Sequence, residues 1–336
     1  MKVKELREKL GKLKKEEIIK LAVEFYKLVP KVKKEDNALD SLINNPNEKK
    51  SKKNTSAQIS LSEIETEVNT FIENAKEQYY LYPNRIVPKK ERSTWRFKVK
   101  KWYKELINTK RTDANLKQQA TILWNLYELL SEACGYNYFS AYDPFQSVGI
   151  EQREFYRSVL ILFQEAEGKN ILTEKGIELI VNNYLNRYTL YSGLMSELIA
   201  LLDIPDLKNQ AIKNAKKLIL KNGFKPEGRT KKNRWSFRDG EFEKKERHNN
   251  LVEFVFRLYI GLFELKEATV FFNENYCDGD DEIKLYVLIR ILFGFNEKEI
   301  IKEELDAAIE RGIEPRESLL TVLNSINKDN ILPQYM

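Results

Sequence analysis

The chain has 336 residues, of which 42% are hydrophobic and 32% are charged, and its formal net charge is +6. One histidine, two cysteines and 13 glycines argue against a disulfide-rich fold, a glycine-rich phosphate site and histidine-based catalysis. There is no run of about 18 apolar residues and no signal peptide after the basic N-terminus, so we expect a cytoplasmic protein without membrane contact.

An N-terminal helical arm is the first predicted element. The apolar spacing of an amphipathic helix recurs at Ile18, Leu21, Ala22 and Phe25. Pro30 ends this pattern, and residues 44–58 have no apolar period. We therefore predict a helical arm over 1–43 and a flexible linker over 44–58.

Residues 59–222 are predicted to form a helical domain, because apolar stripes at helical spacing follow one another through this segment. In its second half the predicted helices cover about 151–166, 174–187, 190–202 and 206–221. One of the clearest stripes is formed by Ile177, Ile180, Val181, Tyr184 and Leu185. The helical period therefore predicts that Tyr184 and Leu185 belong to the helix over 174–187.

The aromatic segment 136–149 interrupts these helices. It lacks a helical period and contains the pair Asp143-Pro144, so we predict an ordered loop. Exposed aromatic residues on such a loop would form a protein-binding hot spot. Buried aromatic residues would instead bridge two helical layers, and this structural role is the preferred interpretation.

A second break divides the C-terminal part of the chain. Residues 223–248 combine glycines with dense charge and are predicted to be a basic loop. Residues 249–336 return to helical periodicity, with paired helices, and are predicted to be a C-terminal helical-repeat domain. The complete prediction is an all-α, irregular helical-hairpin array that resembles an α-solenoid and carries a short N-terminal arm.

The start of this C-terminal domain resembles a tetratricopeptide hairpin. The resemblance is carried by the run from Phe254 to Tyr259 and by Gly261, Ala268 and Phe272. These residues supply a small residue near the turn, an alanine on the second helix and an aromatic residue four positions later. The initial Trp/Leu/Gly pattern and the closing proline of the family are missing, so the resemblance implies helical pairing alone.

The middle of the chain resembles an uncharacterised bacterial all-helical family. The residues that carry the resemblance are Trp95-Arg96-Phe97 and the run from Asp143 to Gln152. The resemblance implies a helical-repeat fold and no catalytic function.

Positive charge is concentrated in three segments of the chain. Residues 1–56 contain 16 Lys/Arg and 9 Asp/Glu, residues 85–111 contain 11 and 2, and residues 208–248 contain 14 and 5. The remainder is strongly acidic. Because segregated positive charge attracts nucleic acids and acidic proteins, these segments are candidate binding surfaces.

Two of the basic segments combine cations with aromatic residues, as single-strand nucleic-acid binders do. On the helix after Pro88, Trp95 and Trp102 share one face, which leaves a row of cations on another. The candidate binding residues for nucleic acid or an acidic partner are Arg96, Lys100, Lys104, Lys225, Arg229, Lys231, Lys232, Arg234, Trp235 and Arg238. The competing interpretation is solvated surface that balances the acidic remainder.

Patterns that suggest catalysis are weak. Asp239, Glu243 and Lys245 have the order found in magnesium-dependent nucleases, but their surroundings are polar rather than those of a core strand. His248 is predicted to have a surface or capping role, and Cys277 has no histidine close in sequence. We therefore predict no catalytic, cofactor-binding or metal-binding residue and no cofactor.

Architecture and charge together favour a binding role. The predicted function is protein–protein recognition as an adaptor or scaffold, with a partner that the sequence does not identify. The first alternative is nucleic-acid binding through residues 85–111 and 208–248. The second alternative is a carboxylate- or metal-dependent enzyme.

Overall fold

The computed structural model describes residues 3–30, 34, 43, 60–109, 113–222 and 240–336. Every regular element in these ranges is a helix, and they contain no strand, so the predicted all-α class is confirmed. The predicted linker 44–58 lies outside the described residues. Contacts divide the chain into two compact units, residues 1–60 and residues 61–336.

The first unit contains helices α1 (Val3–Leu10) and α2 (Lys15–Leu28). Glu16 and Glu17 lie in the first turn of α2 and Lys27 lies in the last, which matches the direction of the helix dipole. No residue of α2 is buried. Its apolar side chains, including Phe25 and Leu28, are exposed.

The second unit contains thirteen helices in its described residues. They are α3 (Leu61–Lys76), α4 (Lys89–Asn108), α5 (Asp113–Gly135), α6 (Pro144–Val148), α7 (Gln152–Glu167), α8 (Ile177–Val181), α9 (Tyr191–Leu201), α10 (Pro205–Asn222), α11 (Glu241–Ile260), α12 (Leu265–Asn275), α13 (Asp281–Gly294), α14 (Lys298–Glu310) and α15 (Glu317–Asp329). A 3-10 turn and a π-helical turn join α7 to α8. The unit does not separate the predicted domains 59–222 and 249–336, because α10 packs on α11.

Helices α5 and α7 form the centre of the second unit. Tyr127 of α5 is fully buried, with its ring centroid 5.9 Å from that of Phe155 and 6.0 Å from that of Tyr156 on α7. Helix α9 is held to α7 by Glu197, whose carboxylate accepts hydrogen bonds from Arg153 and Arg157. Because aromatic residues bury large areas, helices α5 and α7 form the packed core that supports the neighbouring loops.

Local sequence explains several helix boundaries. Asp280 caps α13, because its carboxylate accepts the backbone N–H of Glu282 at 2.9 Å. Asp281 and Glu282 lie in the first turn of the same helix, where acidic side chains match the direction of the helix dipole. Asp143 caps α6 in the same way, Pro144 occupies its first turn and Gly149 ends it at a φ of 72°.

Two sequence-based boundaries are corrected by the structure. The predicted helix over 174–187 ends at Val181, so Tyr184 and Leu185 lie in a loop. The predicted basic loop over 223–248 ends earlier, because residues 241–248 are the first two turns of α11. The left-handed Gly240, at a φ of 89°, marks the start of that helix.

Every helix in the described ranges is too short or too polar to span a bilayer.

Candidate functional site

Two loops of the second unit carry most of the exposed aromatic surface beside the α5–α7 pair. The first loop, 136–143, joins α5 to α6, and the second, 182–190, joins α8 to α9. We define the tyrosine site as the set of side chains that these loops present. They are Tyr136, Tyr138, Tyr142, Tyr184, Arg187 and Tyr188.

The buried amide of Gln152 holds the second loop in place. Its Nε2 donates to the carbonyl oxygen of Tyr184 at 2.9 Å, and its Oε1 accepts the backbone N–H of Asn186 at 2.8 Å. Ser131 of α5 donates to the same Tyr184 carbonyl at 2.5 Å. Side chains from α5 and α7 thus satisfy backbone groups that a continuing helix α8 would have paired internally.

Close packing joins the second loop to the end of α5. A Cβ atom added at Gly135 would lie 2.8 Å from the ring of Tyr184, so only glycine allows this approach. The hydroxyl of Tyr184 donates to the hydroxyl of Tyr136 at 3.3 Å, and the two rings meet edge to face at 5.6 Å. The ring of Tyr136 also stacks on Tyr138. The two loops therefore form one aromatic surface.

Phe139 anchors the first loop in the core. Its ring stacks on Trp95 of α4 at a centroid distance of 4.0 Å and on Phe71 of α3 at 5.7 Å. Phe139 is buried while Tyr136 and Tyr142 are exposed. Phe139 and Phe145 thus fit the preferred structural role for segment 136–149, whereas Tyr136 and Tyr142 are exposed to solvent.

The exposed tyrosines retain most of their surface. Tyr136 is 55% exposed, Tyr142 is 72% exposed and Tyr188 is 68% exposed. The guanidinium of Arg187 lies over the ring of Tyr142, 3.5 Å from its centroid. This cation–π contact links the tip of one loop to the tip of the other.

Two cavities open on either side of Asn186. The smaller has a volume of about 310 Å³ and is lined by Cys134, Tyr142, Asp143 and Arg187 among others. Asp143 is buried, and its Oδ1 accepts the backbone N–H of Gln146 while its Oδ2 has no hydrogen-bond partner among the described residues.

The larger cavity has a volume of about 540 Å³. Its polar walls are formed by Gln146, Glu151, Glu154, Tyr188 and Thr189. Carboxylates therefore contribute to both cavities of the tyrosine site.

The phenol of Tyr184 is a neutral hydrogen-bonding group at physiological pH. The bond between Tyr184 and Tyr136, together with partial burial and the charge of Glu243, raises the pKa of Tyr184 to about 12. Burial and the charge of Glu246 raise the pKa of Tyr191, at the start of α9, to about 12. Burial also raises the pKa of the Cys134 thiol to about 12, which makes it unreactive as a nucleophile.

The predicted basic residues of α4 form a separate surface row. Arg96 and Lys104 are exposed, and Lys100 is partly exposed, with its Nζ 3.4 Å from the carbonyl oxygen of Gly149. Within the described ranges none of the three has a carboxylate oxygen within 4.0 Å. The guanidinium of Arg96 lies over the exposed ring of Phe97 at 4.8 Å.

The other predicted binding residues lie outside the described residues. They are Lys225, Arg229, Lys231, Lys232, Arg234, Trp235 and Arg238. Trp95 and Trp102 of α4 are buried, as expected for core residues.

The fold brings together His248 and Cys277, which are distant in sequence. Of the two roles predicted for His248, the surface role is wrong, whereas its contact with the carbonyl oxygen of Asn275, the last residue of α12, agrees with a capping role. His248 is buried rather than on the surface, and its Nε2 lies 3.5 Å from the Cys277 sulfur. The same Nε2 lies 2.7 Å from the carbonyl oxygen of Asn275. Because a carbonyl oxygen only accepts, this nitrogen carries a proton and does not deprotonate the thiol. Burial raises the pKa of Cys277, so the pair ties α11 to the α12–α13 connection and is not a catalytic dyad.

The nuclease-like pattern is not assembled in the described part of the chain. Asp239 lies outside it, and Glu243 and Lys245 lie on helix α11 rather than on a strand. Lys245 pairs with Asp278 at 2.9 Å. No group of three His, Cys, Asp or Glu side chains in the described ranges is placed to hold a metal ion.

No family model, no curated protein and no solved structure matches the chain. The two resemblances noted in the sequence therefore depend on the residues quoted for them.

We predict that Gln152→Ala lowers the free energy of unfolding by about 1–3 kcal/mol, because it leaves the buried N–H of Asn186 without a partner. Denaturant unfolding measures this change. Gln146→Ala, at an exposed position near the same loops, is the matched control and should change stability by less than about 0.5 kcal/mol. Equal stabilities of the two variants would contradict the role assigned to Gln152.

Proposed function

We propose that the protein recognises a partner protein through the tyrosine site. The observation that carries this proposal is that large aromatic side chains are exposed on two anchored loops. Buried hydrogen bonds to Gln152 hold the backbone of the second loop, and the buried ring of Phe139 anchors the first. Tyrosine and arginine are the residues that contribute most to protein interfaces, since they combine large apolar area with hydrogen bonding.

The rigidity of the loops supports recognition in a second way. Ordering a flexible loop on binding costs free energy, whereas loops that are already ordered avoid this cost. Tyrosine side chains also lose little conformational entropy, because they have only two side-chain torsions. The chain is therefore suited to an adaptor or scaffold role, in which a stable surface binds a second protein.

Two finer sequence-based predictions belong to this proposal. The helical hairpins of residues 249–336 would continue as an irregular solenoid-like array that supports the recognition surface. The adaptor would act in the cytoplasm, where Cys134 and Cys277 remain free thiols, as they are in the fold.

The proposal predicts that Tyr142→Ala combined with Tyr188→Ala abolishes capture of a partner protein. The experiment is affinity purification of the full chain from its host cells, with nuclease treatment. A specific partner should co-purify with the unaltered chain and be reduced at least about tenfold with the double variant, as is typical when interface hot spots are truncated.

Tyr82→Ala combined with Tyr335→Ala is the matched control, because both tyrosines are exposed and lie away from the two loops in sequence. This control should retain the partner. Retention by the Tyr142/Tyr188 variant as well would contradict recognition through the tyrosine site.

Nucleic-acid binding through α4 is the second candidate function. It is favoured by Arg96, Lys100 and Lys104, which follow one another at helical spacing beside the exposed ring of Phe97. None of the three has a carboxylate partner in the part of the chain that the structure describes. Such a row of cations fits the spacing of a phosphate backbone, and an exposed ring offers a stacking surface for a base.

A salt titration tests this second function. The chain should bind short single-stranded DNA or RNA with an affinity that falls steeply as salt increases. Replacing Arg96, Lys100 and Lys104 with glutamine should reduce the slope of log affinity against log salt by about 2–3. Lys266→Gln with Lys328→Gln, at exposed positions elsewhere, should leave the slope unchanged. Absence of binding at low salt would eliminate the candidate.

A further inference from the structure

We infer that the partner segment bound at the tyrosine site is cationic, rich in lysine and arginine. This inference rests on the proposed function and adds the chemistry of the partner to it.

The first argument is the contact that the chain already makes at the site. The guanidinium of Arg187 lies 3.5 Å from the ring centroid of Tyr142, which is the geometry of a cation–π interaction. Tyr142 nevertheless remains 72% exposed, and Tyr188 beside it is 68% exposed. The site therefore has aromatic surface left for further lysine or arginine side chains.

The second argument is the charge of the segment that builds the site. Residues 112–207 contain 6 Lys/Arg and 13 Asp/Glu, so they are acidic in a chain whose net charge is positive. A surface of one sign attracts partners of the opposite sign and accelerates their association.

The third argument is the position of individual carboxylates. Helix α11 packs on α8 and α9, the two helices that the second loop joins, and its exposed first turns carry Glu243 and Glu246. The charges of these two glutamates contribute to raising the pKa of Tyr184 and Tyr191. Glu151 and Glu154 line the larger cavity and are also exposed. Within the described ranges none of these four glutamates forms an ion pair. Their charges are therefore available to a partner.

Cations of the chain oppose these carboxylates only in part. Arg187 stacks on Tyr142, and Arg247 lies close enough to lower the pKa of Tyr191. In the smaller cavity, the Oδ2 atom of Asp143 has no hydrogen-bond partner among the described residues and places a carboxyl oxygen beside Tyr142. A lysine or arginine side chain that enters this cavity would contact the ring of Tyr142 along its apolar stem and place its charge near the carboxyl group of Asp143.

Fluorescence anisotropy with the full chain tests the inference. The probes are two fluorescein-labelled peptides of equal length, one built of Lys, Arg, Gly and Ser, the other of Glu, Asp, Gly and Ser. We expect the cationic peptide to bind at least about tenfold more tightly than the anionic one at physiological ionic strength. Tyr142→Ala should weaken its binding about two- to fivefold, the size of one exposed cation–π contact.

Combining Glu243→Gln with Glu246→Gln should weaken binding of the cationic peptide about threefold or more, because each substitution removes a negative charge beside the site. Glu310→Gln with Glu314→Gln removes the same charge from exposed positions far along the chain and should change binding by less than about twofold. An equal effect of the two pairs would identify the binding as attraction to overall charge and would overturn the inference.

The two levels of the proposal fail differently. If partner capture depends on Tyr142 and Tyr188 while the anionic peptide binds as well as the cationic one, the proposed recognition through the tyrosine site is retained. The inference that the partner is cationic is then wrong. If neither partner capture nor peptide binding depends on the two tyrosines, the proposed function itself is wrong.

Discussion

The side-chain amide of Gln152 is the interaction on which the arrangement of the tyrosine site depends. It lies in the first turn of α7, is fully buried, and pairs with one backbone carbonyl and one backbone N–H of the loop that follows α8. A buried backbone group without a partner costs about as much as a lost hydrogen bond. The loop therefore keeps one conformation, and the tyrosines that it carries keep one position.

The tyrosine site is therefore a surface that is both exposed to solvent and ordered. The ring of Phe139 anchors the first loop by stacking on Trp95, and the absence of a side chain at Gly135 lets Tyr184 approach α5 closely. These contacts lie beneath the tyrosines and leave their outer surface open to solvent. A binding surface of this kind does not need to order itself when a partner arrives, so more of the contact free energy appears as affinity. This is the physical basis of the proposal that the site recognises a partner protein.

The sequence predicts the helical class and much of the core, because apolar periodicity reports which residues face a neighbouring helix. It misplaces the end of the helix over 174–187, since Tyr184 continues the apolar stripe in sequence. The signal for the earlier end is the pair Asn182-Asn183, because asparagine competes with helical hydrogen bonds. In the structure the side-chain Nδ2 of Asn183 donates a hydrogen bond to the backbone carbonyl oxygen of Leu179. The capture of the loop by Gln152 depends on a contact between residues distant in sequence, which no local pattern contains.

The same reason explains the pair formed by His248 and Cys277, which joins α11 to the connection between α12 and α13. Hydrogen exchange at the backbone amide of Asn186 tests the account most directly. If Gln152 holds the loop, this amide exchanges at least about a hundredfold more slowly than the amides of a freely opening loop. Exchange at the rate of an unprotected amide would contradict the account, since Tyr184 and Tyr188 would then lie on a loop without a fixed conformation.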